Sequence, residues 1–137
     1  MNTKDIGNLG EHIAIVELLK NNVQISRPLG DNSRYDLILD IYGTLLTCQV
    51  KSTNSATAEL AEFSLTSSQA HRGGVRHKYD VDIFCLVDIQ NNNVFLYQNE
   101  GNKTSLKIRY APTKSGQSVG INRAEDFLVS KFLQDYF

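Results

Sequence analysis

Residues 34–52, RYDLILDIYGTLLTCQVKS, constrain the fold most, because polar and apolar residues alternate on both sides of a Gly-Thr pair. Alternation of this kind predicts two antiparallel strands that each bury one face. Gly43 at the first position of a two-residue loop is typical of a type II′ hairpin turn. The cross-strand pairs that this loop predicts are Tyr42 with Leu45, Asp40 with Thr47, Ile38 with Gln49 and Asp36 with Lys51.

The two faces of this hairpin differ in chemistry. Directly opposed residues share a face, and a slip of one residue would bury the charged set, so the pattern determines which side chains are buried. A solvent-facing side with a cross-strand Asp–Lys pair, worth about 0.2–1 kcal/mol, is the ordinary explanation of the polar face. The predicted core face holds Tyr35, Leu37, Leu39, Ile41, Leu46, Cys48 and Val50, and the predicted polar face holds Asp36, Asp40, Gln49 and Lys51.

The chain has 137 residues, enough for one domain with a buried core. Its hydrophobic fraction of 41% and charged fraction of 21% are those of a globular protein. No apolar run approaches the ~18 residues of a membrane span, and the first residues lack the layout of a secretory signal. We therefore expect a cytoplasmic protein with no membrane partner, in which Cys48 and Cys85 are buried reduced thiols.

The net charge of −1 conceals an uneven distribution. Residues 1–65 carry 5 basic against 8 acidic side chains, whereas residues 66–123 carry 8 basic against 4 acidic ones. An acidic first part and a basic middle predict a cation site beside a surface for a polyanion.

The remaining patterns predict a single domain of α+β or mixed α/β class, with a central mixed sheet flanked by helices. The almost wholly apolar run at 81–89 is typical of a strand covered on both faces. The predicted segments are a helix at 3–22 capped by Asn2 or Thr3, strands at 23–27 and 62–66, a helical start within 67–78, strands at 81–89, 94–98 and 105–110, and a helix at 123–137.

Glu11 projects from the helical stripe that should pack on the sheet, where its neighbours are Ala14 and Leu18. A carboxylate there is costly unless it meets a cation or hydrogen-bond donors. Gly7 and Gly10 weaken the helix but permit close approach of another backbone or a ligand. An early-turn acid favoured by the helix dipole would explain the charge of Glu11 but not the direction in which it faces.

The carboxylates of Glu11 and Asp36 and the carbonyl of Gln49 are hard oxygen ligands of the kind that Mg²⁺ takes. Lys51 beside them would place an ammonium near an attacking water or a scissile phosphate. A cation and a lysine suit phosphodiester hydrolysis, in which charge grows on the phosphate.

The segments GNLGEHIAIVELL, RYDLILD and QVKS resemble the PD-(D/E)XK nuclease superfamily, and residues 27–52 most resemble its bacterial group I intron-encoded homing endonucleases. The resemblance implies a restriction-endonuclease-like core and hydrolysis of both DNA strands at a specific site with one or two Mg²⁺ ions. It implies that Asp36 is a metal ligand and Lys51 the catalytic lysine. Gln49 departs from the family pattern because it replaces an acid, which leaves Glu11 to compensate.

The segment SLKIRY places Ser105, Lys107 and Arg109 on one face of a strand, opposite an apolar face. Paired with residues 93–99, this strand would form a ribbon that reads the major groove of DNA; solvated edge-strand charges are the alternative. Further expected contacts with double-stranded DNA are Arg72, Arg76, Lys78, Lys103 and Lys114. The expected division is a catalytic core at 1–90, a DNA-reading ribbon and loop at 91–123 and a C-terminal helix at 124–137.

The size of the chain predicts self-association. A globule of this length has a radius of gyration near 14 Å (about 2.2·N^0.38 Å) and covers about 10 base pairs of DNA. Cutting both strands of a long target therefore requires at least two subunits, as a dimer or a tetramer.

Two other functions fit the residues. A Holliday-junction resolvase or a restriction-type nuclease of the same superfamily would share the chemistry, although resolvases usually keep an acid where Gln49 lies. A non-catalytic DNA-binding module would explain Gln49 as the remnant of a metal site.

Overall fold

A five-stranded mixed sheet forms the centre of the molecule. The computed structural model describes residues 1–30, 32–68 and 76–136, without the side chains of residues 68 and 76. The elements are α1 (Thr3–Lys20), β1 (Gln24–Ser26), β2 (Leu37–Ile41), β3 (Thr44–Thr53), β4 (Leu60–Ser64), β5 (Thr66–Ser68), β6 (Arg76–Lys78), β7 (Ile83–Asp88), β8 (Asn93–Gln98), β9 (Ser105–Arg109), a 3₁₀ turn (Ala124–Asp126) and α2 (Val129–Asp135). The strand order in the central sheet is β1-β2-β3-β7-β8, in which β3 and β7 are parallel and the other neighbours are antiparallel.

Both faces of the sheet are covered. On one face α1 and α2 pack through a cluster that includes Ala14, Leu18 and Leu133. On the other face a ribbon of β4 and β9 packs through a second cluster, which includes Phe63 and Ile108. All six residues of β7 are buried, which confirms the prediction of a strand covered on both sides.

The hairpin turn differs from the predicted one. Ile41 pairs with Thr44, so the loop is Tyr42-Gly43 rather than Gly43-Thr44. Both loop residues have positive φ, 54° and 89°, as a type I′ turn requires, and Asp40 Oδ1 accepts a hydrogen bond from the Gly43 N–H at 2.9 Å. A tyrosine in the left-handed region is uncommon, which explains the wrong prediction.

The corrected turn shifts the pairing by two residues and leaves the faces unchanged, because side chains alternate with a period of two. Leu37, Leu39, Ile41 and Cys48 are buried on one face, as predicted. The predicted pairs were wrong: Asp40 lies opposite Leu45, and Ile38 lies opposite Thr47 rather than Gln49. Tyr35 was also misplaced, since it precedes β2 and packs in the cluster on the ribbon side.

The strand at 105–109 does not pair with residues 93–99. β8 continues the main sheet as the antiparallel neighbour of β7, and β9 pairs with β4. Four consecutive buried residues in β8, from Val94 to Tyr97, explain this, because a ribbon exposed to DNA could not hide both of its faces.

Two predicted helices also differ. The C-terminal segment forms the 3₁₀ turn and the seven-residue α2, because between them the Phe127 carbonyl accepts the Leu96 N–H at 2.9 Å and Leu128 bridges to Phe95. Residues 67 and 68 lie in β5 rather than in a helix, and residues 69–75 lie outside the described residues. The cap of α1 is Asn2, whose side chain accepts from the Asp5 N–H. Within the described parts of the chain, no helix is both long and apolar enough to cross a bilayer.

Gly10 lets α1 touch β3 directly. A Cβ at this position would lie 1.7 Å from Ser52 Oγ and 2.7 Å from Ser52 Cβ, whereas a Cβ on Gly7 would meet nothing within 4 Å. The prediction that a glycine permits close approach is therefore confirmed for Gly10, whereas no described residue approaches Gly7 closely. This contact holds the residue before Glu11 against the residue after Lys51.

We expect Gly10→Ala to lower the free energy of unfolding by about 1–3 kcal/mol, because the added methyl overpacks against Ser52. Gly7→Ala is the matched control, and we expect it to raise the free energy of unfolding by about 0.5–1 kcal/mol, since the same helix gains a better helix former. Urea denaturation measures both changes. Equal effects of the two substitutions would contradict the close contact, and Ser52→Gly should restore the stability of Gly10→Ala.

Candidate active site

Glu11 and Asp36 line the same cleft, although one lies on α1 and the other precedes β2. The cleft has a volume of about 470 Å³ and is completed by the loop between β1 and β2. Its other lining residues are Arg27, Pro28, Leu29, Gly30, Ser33 and Tyr35. The fold thus brings together the two carboxylates that the sequence singled out.

Asp36 is fixed to the adjacent strand by two hydrogen bonds. Its N–H donates to the Cys48 carbonyl at 2.9 Å, and its Oδ2 accepts from the Val50 N–H at 2.9 Å. Val50 lies between Gln49 and Lys51, so the peptide that holds the carboxylate also belongs to the segment that carries the amide and the ammonium. One carboxylate oxygen of Asp36, Oδ1, accepts no hydrogen bond from any described residue.

Burial raises the pKa of the Asp36 carboxyl above its ordinary value. The bond from the Val50 N–H opposes this rise, the negative charge of Glu11 adds to it, and the positive charges of Lys51 and Arg27 oppose it. The rise therefore comes mainly from the hydration that the carboxylate loses on burial. A divalent cation in the cleft would offset that loss and favour the charged carboxylate.

Lys51 is held by groups outside the hairpin. Its Nζ donates to the Thr66 carbonyl at 3.3 Å and lies 5.1 Å from the centroid of the Tyr79 ring, a distance suited to a cation–π contact. The predicted direct pairing of Asp36 with Lys51 was wrong, yet their charges interact. Neither Thr66 nor Tyr79 could be found from a local pattern, because both are distant in sequence.

Gln49 lies two residues before Lys51 and therefore on the same face of β3, opposite Phe84 of β7. No hydrogen bond joins its side chain to another described residue, so its carbonyl is available to a ligand. Among the described residues no group of three or more His, Cys, Asp and Glu could hold a metal ion. Glu11, Asp36 and Gln49 therefore stay a predicted ligand set, whose oxygens would suit Mg²⁺ with water as additional ligands.

Arg27 is a residue of the cleft that the sequence patterns did not reveal. Its Nη2 donates to Glu11 Oε1 at 2.6 Å, and the side chains of Arg27 and Glu11 are 51% and 26% exposed. The only local signal was a basic residue at the end of a short strand, directly before Pro28.

The predicted DNA contacts are spread over several elements. Ser105 and Lys107 are exposed on β9, where Lys107 lies opposite Glu62. Arg109 is half-buried and its Nε donates to the Ala111 carbonyl at 3.0 Å; the Nζ of Lys78 donates to the Gly101 carbonyl at 3.0 Å. Lys103 and Lys114 are exposed, the side chain of Arg76 is not described, and Arg72 lies outside the described residues.

Comparison with known proteins places this geometry in context. The model of the PD-(D/E)XK endonuclease family matches residues 1–130. Among solved structures, the bacterial homing endonuclease I-Ssp6803I is similar with a TM-score of 0.68 and 23% sequence identity, over 98% of this chain and 93% of that one. No curated protein matches the chain.

Proposed function

This chain belongs to the PD-(D/E)XK endonuclease family, and from that membership we propose that it is a site-specific DNA endonuclease of the homing type. It hydrolyses phosphodiester bonds in both strands of a duplex and uses Mg²⁺. The similarity in fold to a bacterial homing endonuclease supports the homing type over other nucleases of the family.

The observation that carries the proposal is the meeting of Glu11 and Asp36 in one cleft, with the charge of Lys51 acting on Asp36. In this proposal Glu11, Asp36 and Gln49 hold one or two Mg²⁺ ions through oxygen atoms. When bound, Mg²⁺ would orient and acidify a water and offset the charge that grows on the phosphate.

The protein groups have separate tasks in the reaction. The Val50 N–H holds Asp36 through Oδ2, which leaves Oδ1 without a described donor and available to a metal ion. Lys51 contributes an ammonium that stabilises the pentacoordinate phosphate or orients the attacking water. Its contacts with Thr66 and Tyr79 hold that ammonium in place before substrate arrives.

The outward face of the ribbon is the proposed base-reading surface. Ser105, Lys107 and Arg109 lie on the face of β9 opposite the buried Leu106 and Ile108. Arg72, Arg76, Lys78, Lys103 and Lys114 are the proposed contacts with the DNA backbone. Two or four subunits assemble on the duplex, so that each strand meets its own active site; sedimentation of the protein with and without DNA measures this number.

Selection of cleaved sites from a randomised duplex library, with Mg²⁺ and purified protein, tests the function. A single long recognition sequence cut in both strands is expected. Incubation with four-way junctions is the parallel arm, and junction cleavage regardless of sequence would identify a resolvase instead. Absence of cleavage of either substrate with Mg²⁺ or Mn²⁺ would favour the non-catalytic DNA-binding module.

Gln49→Glu is expected to tighten Mg²⁺ binding by about tenfold, because a third carboxylate joins the ligand set. Without the metal, the added charge raises the pKa of Asp36 further. Titration calorimetry with Mg²⁺ alone measures the affinity. Gln98→Glu, which makes the same change at an exposed position outside the cleft, is the control. Equal affinities of the two variants would contradict a role for residue 49 in holding the metal.

A further inference from the structure

We propose that Arg27 is the internal counter-ion of the cleft, which releases Glu11 to the metal when its own guanidinium takes up a phosphate of the DNA. The inference rests on the proposed function. It concerns a residue outside the metal-ligand set and outside the predicted DNA contacts.

The first observation is the ion pair itself. Arg27 Nη2 and Glu11 Oε1 are 2.6 Å apart, and both residues line the cleft that contains Asp36. A guanidinium has five N–H donors, and among the described residues only Glu11 accepts from this one. Arg27 therefore keeps donors for a second acidic group.

The positive charge of Arg27 acts on both carboxylates of the cleft. It opposes the rise in the pKa of Asp36, and it forms the ion pair with Glu11. One guanidinium thus lies within electrostatic reach of both carboxylates that would hold the metal. It stabilises the pair of negative charges while no divalent cation is bound.

These two contacts make Arg27 a competitor of the metal. The guanidinium occupies one of the Glu11 oxygens, and its charge repels a second cation in the same cleft. An ion pair in which one partner is about half exposed is weak, since water screens it. The pair therefore holds Glu11 in the free protein and yields readily to a better partner.

A DNA phosphate is such a partner. Arginine binds phosphate through two parallel N–H donors, a geometry that a single carboxylate oxygen of Glu11 does not offer. Once the Arg27 guanidinium binds a phosphate, Glu11 loses its counter-ion, and its carboxylate becomes available to the metal. DNA and Mg²⁺ then strengthen each other's binding, because thermodynamic coupling between two ligands is reciprocal.

Two substitutions distinguish the transfer of Arg27 from Glu11 to a phosphate from a structural role in which Arg27 only holds the β1–β2 loop against α1. Arg27→Met keeps most of the aliphatic stem and removes the charge, and Arg27→Lys retains the charge. Mg²⁺ affinity of the DNA-free protein is measured by calorimetry. We expect Arg27→Met to bind Mg²⁺ about fivefold or more tightly than the parent, and Arg27→Lys to stay near the parent.

The second arm uses a 30-base-pair duplex in EDTA, where no cleavage occurs. Arg27→Met should bind this duplex more weakly, and its slope of log affinity against log salt should fall by about one phosphate contact. Arg34→Met is the control for the Mg²⁺ titrations. Arg34 pairs with the exposed Asp80 at 3.8 Å, and it is not among the charged residues that act on the pKa of Asp36. Its Mg²⁺ affinity should equal that of the parent.

Unchanged or weaker Mg²⁺ binding by Arg27→Met would overturn the competition, and an unchanged salt slope would overturn the transfer to phosphate. Either result leaves the nuclease proposal intact, because cleavage by the parent protein is measured separately. Conversely, absence of cleavage by the parent would refute the nuclease while the Mg²⁺ titrations still report on Arg27 and Glu11.

Discussion

Asp36→Asn is expected to reduce DNA cleavage by about 10³-fold or more and to raise the melting temperature of the metal-free protein. The loss follows because an amide removes the negative charge that attracts Mg²⁺, and each tenfold loss of rate corresponds to about 1.4 kcal/mol. The gain in stability follows because burial and Glu11 raise the pKa of Asp36, so its charged form is costly in the folded state. Asparagine can still accept from the Val50 N–H.

The size of this gain in melting temperature depends on pH. A raised carboxyl pKa means that the folded protein binds the proton more tightly than the unfolded chain, so the cost is fully present above the folded pKa. It disappears as pH falls through the folded pKa towards the ordinary value of about 4. The gain in melting temperature should therefore be seen at pH 7 in EDTA and vanish near pH 4. The same proton competes with Mg²⁺, so wild-type cleavage should decline on the acid side.

Asp40→Asn is the matched control, since Asp40 lies in the same hairpin but bonds the Gly43 N–H at the turn. It should retain cleavage within a fewfold of the parent. A fully active Asp36→Asn would remove Asp36 from the metal site. A lowered melting temperature at pH 7 would show that the carboxylate stabilises the fold, contrary to its raised pKa.

Lys51→Met is expected to lower the cleavage rate by about 10²–10⁴-fold and to leave DNA affinity nearly unchanged. Methionine keeps an unbranched stem that can contact the Tyr79 ring, so the packing is largely preserved while the ammonium is lost. Single-turnover cleavage and binding in EDTA measure the two quantities separately. Because Lys51 also lowers the pKa of Asp36, the acid limb of any residual activity should move to higher pH.

Lys78→Met supplies the comparison for that variant. Lys78 also donates to a backbone carbonyl, that of Gly101, but unlike Lys51 it is exposed and is not among the charged residues that act on the pKa of Asp36. Its loss should weaken DNA binding slightly and leave the rate of the bound complex unchanged. Undiminished cleavage by Lys51→Met would end the assignment of Lys51 as the catalytic lysine.

Alternation in the sequence was sufficient to predict which hairpin side chains are buried, because that property depends only on a period of two. It was not sufficient to predict their partners across the turn. The cross-strand partners depend on whether Tyr42 can adopt a positive φ. The hydrogen bond that the Gly43 N–H donates to Asp40 Oδ1 stabilises this conformation. The preference of a type II′ turn for glycine at its first loop position therefore led to the wrong register with the correct faces.

Long-range pairing could not be read from local patterns either. β9 has the alternation of a half-buried strand, but its own residues do not indicate whether it pairs with β4 or with β8. The same holds for Arg27, whose link to Glu11 exists only after α1 and the β1–β2 loop have docked. By contrast, Glu11 could be singled out because an acid on an apolar helical stripe conflicts with simple burial, and the fold places it in one cleft with Asp36.

The peptide group of Val50 links Asp36 to the two residues that flank Val50 in the chain. Since its N–H anchors Asp36 while its neighbours in the chain are Gln49 and Lys51, a rigid backbone, rather than any one side chain, sets the spacing of the three. Under the proposed function, a substitution at position 49 would change the affinity for the metal, while the backbone that anchors Asp36 and carries Lys51 keeps its place.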